Sequence, residues 1–373
     1  MINVYELTQK RDLSEFINFA WDIYKEDNNW VPPLKYDLLN TLLGKNNPLF
    51  SNGPHAFFIV KREGKIVGRI IVGINERLNA KKGKKEGYLS LFEAYNDKEA
   101  VFMLLDYALK WLHIRGAKTV TGPVSPTGGD DYRGFLIKGF DGSPVLMNSY
   151  NPEYYPELFE SYGFKKDMDL YAFYLDPPSM AEKRYSRVIE YAMKKFKFQI
   201  HKFDRRSLDR EIKDIKFILD HAMPESWQHL TPPSYEEIQK EINQLIKFMD
   251  ADFVYIARAN DGKPIAFIAA LPDFNQVLKQ MNGRILPFGF VKYLWYKRKI
   301  NGVRIFTQFV IPEYRNKGVN NAIYYKLMKE GRQKGIKYGE GSCIAEMNKE
   351  SIRNVEKVGG RLYRIYRIYR KDI

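Results

Sequence analysis

One order of elements occurs twice along this chain, and that repetition limits the fold more than any single segment does. In the first half, apolar alternation at residues 56–60 and 66–74 around the turn 61–65 predicts an antiparallel hairpin. A strand at 88–94 follows, then a helix opened by Asn96-Asp97 that sets Val101, Leu104, Leu105, Ala108 and Leu112 on one stripe and stops at Gly116. A short strand at 118–121, a Gly/Pro-rich loop at 122–134, a helix at about 154–162 and a strand at 170–175 complete the unit. The second half repeats it. Strands at 254–259 and 264–271 flank Asn260-Asp261-Gly262-Lys263, and a strand at 304–311, a helix at 320–334, a strand at 338–344, a helix at 349–358 and a strand at 362–370 follow. Such a plan describes an α/β fold, an α+β mixed sheet with a strand–loop–helix crossover at the centre of each copy. The joint is read at Asp176-Pro177-Pro178, because consecutive prolines halt strand and helix alike. Two domains, 1–178 and 179–373, suit a chain of 373 residues.

Charge separates the copies. Residues 1–175 carry 22 Lys and Arg against 22 Asp and Glu, whereas the remainder carries 38 against 23, so the whole excess of +15 lies in the second half. That half is expected to handle a phosphate-rich ligand. A single cysteine and five scattered histidines exclude a disulfide framework and a Cys-cluster metal site, so no metal is expected. No stretch approaches the roughly 18 apolar residues of a membrane span, and the N-terminus has no apolar signal core, which points to the cytoplasm.

The segment from Val310 to Asn320, Val-Ile-Pro-Glu-Tyr-Arg-Asn-Lys-Gly-Val-Asn, joins the central strand of the second copy to its long helix. Free amides at a helix start favour an anion, Gly318 would let a pyrophosphate approach, and Arg315 and Lys317 add charged donors. This segment resembles the coenzyme A loop of the GCN5-related N-acetyltransferase (GNAT) superfamily, which reads Arg/Gln-x-x-Gly-x-Gly/Ala after a strand ending in Val. Asn320 departs from the pattern, standing where a small residue is preferred. Asn348, Ser351-Ile352, Val355 and Gly359-Gly360 fall at the intervals of later family residues, and Asn151 to Gly163-Phe164 is an echo in the first half. The chain is therefore similar to two tandem copies. The first lacks the loop and places Glu93, Asp97 and Glu99 near its helix start, where they would compete with a pyrophosphate.

The resemblance implies an acyl-CoA-dependent N-acyltransferase, with acetyl-CoA as the expected co-substrate and an amine acceptor attacking the thioester directly. It places the pantetheine on Phe309, Val310 and Ile311, the pyrophosphate on Arg315, Asn316, Lys317, Gly318, Val319 and Asn320, and a further cofactor contact on Asn348. The catalytic candidate is Glu340, acting through water, although an exposed structural carboxylate is the competing reading. The Tyr that protonates the thiolate in many relatives is Val355 here, so Tyr338, Tyr363 and Tyr366 are considered instead. Cys343 reads as a buried small hydrophobe. The loop Ser125 to Tyr132 reads as a turn, with ligand contact as the alternative. The insertion 272–301, aromatic with a basic end, reads as a packed helix; a lid, a homodimer contact and an interfacial helix on anionic lipid are the alternatives. A binding-only acyl-CoA sensor and a tRNA-dependent aminoacyl transferase remain open. Basic and aromatic residues interleave at 361–371, yet Leu362, Ile365 and Ile368 alternate as in a sheet strand, so nucleic acid is not the expected partner.

Overall fold

The computed structural model describes all residues except 46, 177–181, 225–231 and 247–248. The expected joint at Pro177-Pro178 lies outside the described residues. The first half runs β1 (Ile2–Glu6), α1 (Leu13–Ile23), α2 (Lys35–Leu42), α3 (Pro48–Ser51), β2 (His55–Arg62), β3 (Lys65–Ile74), α4 (Glu76–Lys82), β4 (Glu86–Ala94), α5 (Lys98–Ile114), β5 (Thr119–Gly122), β6 (Phe135–Lys138), α6 (Tyr155–Tyr162) and β7 (Lys165–Leu175). The second runs α7 (Glu182–Lys195), β8 (Phe198–Lys202), α8 (Leu208–Ala222), α9 (Tyr235–Leu245), β9 (Val254–Ala259), β10 (Pro264–Pro272), α10 (Asn275–Met281), α11 (Gly289–Lys297), β11 (Gly302–Val310), α12 (Val319–Gln333), β12 (Tyr338–Ala345), α13 (Lys349–Lys357) and β13 (Arg361–Asp372).

All strands belong to one mixed sheet in the order β1-β2-β3-β4-β5-β13-β7-β12-β11-β10-β9-β8, with β6 beside β13. The halves exchange their last strands. β13 pairs with β5 and β7, while β7 also pairs with β12, so the seam carries ladder hydrogen bonds from both halves. The pattern that makes β13 a strand also fits it to this place. Arg364, Tyr366 and Ile368 alternate as buried residues, whereas Leu362 at its start is exposed.

The crossover helices form for the reason their periodicity gives. Val101, Leu104, Leu105, Ala108 and Leu112 of α5 are buried against the first half of the sheet, and Ala322, Ile323 and Leu327 of α12 are buried in the second. Each buried leucine contributes about 1.5–3 kcal/mol. Three strands escape the sequence pattern. β1 and β8 are short edge strands with few buried side chains, and β6 has four residues inside a loop-rich stretch. Among the described residues no helix is long and apolar enough to cross a membrane, and no group of three or more His, Cys, Asp or Glu side chains is arranged to hold a metal ion.

Candidate active site

The central strand of the second copy is paired fully on one side only. β11 follows β10 from Val303 to Val310 but meets β12 only from Gly302–Tyr338 to Ile305–Gly341, after which the two parallel strands splay. A cavity of about 1230 Å³ opens there. Phe306 to Val310 form one wall, Gly341 to Ala345 the other, Tyr324 and Asn320 reach in from α12, and Asn348, Ser351 and Asn354 from α13. Ile215 and Leu219 of α8 and Ile238 and Glu241 of α9 line it as well.

At the end of that wall the chain turns through Asn316 and Gly318, both left-handed at φ 61° and 78°, into α12. Gly318 is the N-cap and no side chain caps the helix. The amides of Val319, Asn320 and Asn321 therefore meet no acceptor among the described residues, and the helix dipole adds to their pull on an anion. An extended chain along the free edge of β11 and a diphosphate on these amides are what this arrangement can hold.

Several sequence expectations need correction. A Cβ at Gly318 would lie 3.1 Å from the Cβ of Ala192 on α7, so the glycine is favoured by its φ and by that helix as well. The Arg315 guanidinium gives two of its N–H groups to backbone, with Nε donating to the Val310 carbonyl at 3.3 Å and Nη2 to the Ala222 carbonyl at 3.1 Å. The Lys317 ammonium sits 4.9 Å above the Tyr314 ring and is not in the cavity wall. Ile311 is fully buried, its N–H donating to Ile265 and its carbonyl accepting from Tyr314, so neither group is free for a pantetheine. Phe309, Val310, Arg315, Asn320 and Asn348 do line the cavity. Asn320 accepts from the Gln308 amide at 2.7 Å, which gives the non-glycine residue a job on the strand edge. Asn348 caps α13, accepting from the Ser351 N–H at 3.1 Å.

Glu340 is neither exposed nor in the cavity wall. It is wholly buried, and its carboxylate accepts from Asn148 and Ser342, each at 2.5 Å, and from the Tyr363 hydroxyl. Arg304, equally buried, donates to the Leu146 carbonyl at 2.7 Å. The pair therefore fixes the first-half segment holding Leu146 and Asn148 onto the second-half strands, and Met147 between them lines the cavity. Glu340 thus holds a wall of the cavity in place. Tyr338, bonded to Asp273, and Tyr363 and Tyr366 likewise lie outside the lining. Cys343 does line it, but burial pushes its thiol up to about 11, which keeps it protonated.

The first-half loop that reads as a mere turn contributes to this cavity. Gly128, Gly129, Asp130, Asp131 and Arg133 face Glu241 of α9 across it. Burial and the neighbouring Asp131 and Asp130 push the Glu241 carboxyl up to about 7. Glu241 lines the cavity and is exposed to it. Burial also raises Asp131, against the pull of its Ser125 hydrogen bond at 2.7 Å. Tyr324, with its hydroxyl pushed well up by burial, makes no hydrogen bond among the described residues. No spacing signal marks Glu241, because the loop and α9 meet only across the folded halves.

The matching positions of the first copy are occupied by its own side chains. Asp97 caps α5, accepting from the Ala100 N–H at 3.1 Å, and binds Arg62 through two bonds of 2.7 and 2.9 Å. Hydrogen bonding by Arg62 holds the Asp97 carboxyl below its ordinary range, so the helix start already carries its anion. The end of β4 is occupied too. The Ala94 N–H donates to the Tyr155 hydroxyl and its carbonyl accepts from Tyr154, both at 2.8 Å, while Tyr155 packs fully buried against Phe92 and Phe135.

Residues 212–359 match the model of the acetyltransferase (GNAT) family. The chain is 30% identical to Protein YghO of Escherichia coli (strain K12), over 98% of this chain and 94% of that one. It is 27% identical to a protein named bacterial ceramide synthase from Caulobacter vibrioides (strain NA1000 / CB15N), over 100% of this chain and 98% of that one. Its fold is that of a tandem GNAT protein from the clavulanic acid biosynthesis pathway, which it covers over 98% at a TM-score of 0.59 and 10% identity. With a family model matching its second half, full-length relatives matching end to end and the fold of a tandem GNAT protein, the chain belongs to the GNAT family.

Proposed function

We propose that this protein transfers an acyl group from an acyl-CoA to the primary amine of a long-chain amino alcohol, in the cavity between β11 and β12. The observation that carries the reading is the uncapped start of α12 at the end of an open strand edge. The cavity, at about 1230 Å³, exceeds the roughly 300–1,000 Å³ of small-ligand sites. Its apolar wall, with Phe203, Ile215, Leu219, Phe267 and Phe306, favours a fatty acyl chain over acetyl. A relative named ceramide synthase supports the same substrate class.

The acyl-CoA supplies an activated thioester carbonyl. The diphosphate is held by the amides of Val319 to Asn321, and the pantetheine lies along β11 where it parts from β12 after Ile305. The amine nitrogen forms a C–N bond as the C–S bond breaks, and the proton it loses balances the one the thiolate gains. Glu241 accepts the amine proton, since a carboxyl near neutrality is matched to that task. Asp131 draws the ammonium in, Asp130 being paired with Arg133, and Tyr324 donates to the leaving sulfur. Use of acyl-CoA puts the reaction in the cytoplasm.

The test is thiol release from acetyl-CoA and from palmitoyl-CoA across short amines and long-chain amino alcohols, with binding measured by calorimetry. Turnover with the long-chain pair supports the proposal. Tight acyl-CoA binding without turnover on any amine leaves a sensor in its place.

A further inference from the structure

We infer that α11 and the turn before it form a docking surface for an anionic phospholipid bilayer, independently of which acyl transfer the cavity performs. Within the inserted segment α10 is a packed helix, with Phe274, Val277 and Met281 in the core, whereas α11 packs only in part. Only Gly289, Tyr293 and Tyr296 turn inward, Tyr293 stacking on Phe274 with centroids 6.4 Å apart. The remaining apolar side chains face solvent: Leu286 is 77% exposed, Phe288 72% and Trp295 61%, beside exposed Phe290, Val291 and Leu294. A contiguous patch of this kind marks an interaction site.

Charge selects the occupant. From residue 274 to residue 312 there is no Asp or Glu, while Arg284, Lys292, Lys297, Arg298 and Lys299 are exposed around the patch. A second copy of the chain would bring like charges together across a two-fold axis. An anionic lipid surface takes both features at once, with rings and aliphatic side chains entering the acyl boundary and the basic rim resting on the headgroups. None of these six apolar residues lines the cavity, and α11 enters β11 at the end away from the Gly318 turn. The surface and the coenzyme A loop therefore do not compete for one face.

The experiment is co-sedimentation of the full chain with vesicles of 30% phosphatidylglycerol in phosphatidylcholine, and with phosphatidylcholine alone. The wild type should partition into the anionic vesicles at least tenfold better, with the gain shrinking as salt rises. Phe290→Ser with Trp295→Ser should lower partitioning at least tenfold. Lys297→Glu with Arg298→Glu should lower it by more than the roughly fivefold that one basic residue supplies. Both variants change exposed side chains and should keep the wild-type melting curve and coenzyme A affinity. Equal binding of wild type and both variants, or no binding, overturns the inference. So does a wild-type dimer in sedimentation velocity that Phe290→Ser with Trp295→Ser dissolves, because the face would then belong to a second copy.

Discussion

Replacing Gly318 with alanine isolates what the phosphate turn asks of its backbone. At φ 78° a Cβ costs about 1–2 kcal/mol in left-handed strain. The new Cβ also falls 3.1 Å from that of Ala192 on α7, and relieving this contact by shifting the turn or the helix adds about 1 kcal/mol. The shift moves the amides of Val319 and Asn320. Losing one amide bond to a charged phosphate oxygen removes about 1.5–3 kcal/mol, which is roughly 10- to 150-fold in Kd. Thermal unfolding and calorimetry with coenzyme A should report both losses in Gly318→Ala. Ala192→Gly alone costs about 1 kcal/mol in helix propensity. In the Gly318→Ala background it should cost less, because it removes the crowding, and coenzyme A affinity should partly return. A favourable coupling energy of about 0.5–1 kcal/mol is the signature. If Gly318→Ala bound coenzyme A within twofold of wild type while folded, the assignment of the turn would be wrong.

Further outcomes follow from the geometry. Tyr155→Phe strands the Ala94 N–H and one contact to Glu93, so it should lower stability by about 1–3 kcal/mol in denaturant titration while leaving coenzyme A affinity unchanged. Because the Glu241 carboxyl is raised to about 7, activity should climb as pH passes through 7 and level off above it; Glu241→Gln should abolish that limb and lower kcat about 100-fold or more. The sign for stability is opposite. A carboxyl raised by folding stabilises fully below its unfolded value and loses that contribution as pH rises through about 7, so Glu241→Gln should flatten unfolding free energy across that window. Glu340→Ala leaves Asn148, Ser342 and Tyr363 without their common acceptor, and should cost at least about 3 kcal/mol in chemical denaturation rather than act on the chemical step alone. At pH 8 iodoacetamide should modify Cys343 slowly, and Cys343→Ala should keep most activity by the thiol-release assay.

The crossover architecture was legible because local chemistry writes it. Apolar periodicity marks α5 and α12, and Asn260-Asp261-Gly262-Lys263 marks the hairpin between β9 and β10. The turn at Gly318 was legible through residue type, but its internal wiring was not: nothing in Arg315 announces that two backbone carbonyls will claim its guanidinium. The exchange of β7 and β13 is invisible in the pattern, because an alternating strand fits either half equally well until its neighbours are known. For the same reason the loop at Asp130 and Asp131 looked like a turn, since what makes it part of the cavity is Glu241, over a hundred residues away in the chain. The contacts that occupy the first helix start and strand end were half readable. Asp97 was visible at the helix start, whereas Tyr154 and Tyr155 reach Ala94 only in the folded copy.

A crystal structure of the full chain with coenzyme A bound addresses the central claim most directly. It should show one molecule per chain, with its diphosphate on the amides of Val319 to Asn321 and its pantetheine along Phe309 and Val310. A coenzyme A lying between β4 and β5, with Tyr155 displaced from Ala94, would contradict the account.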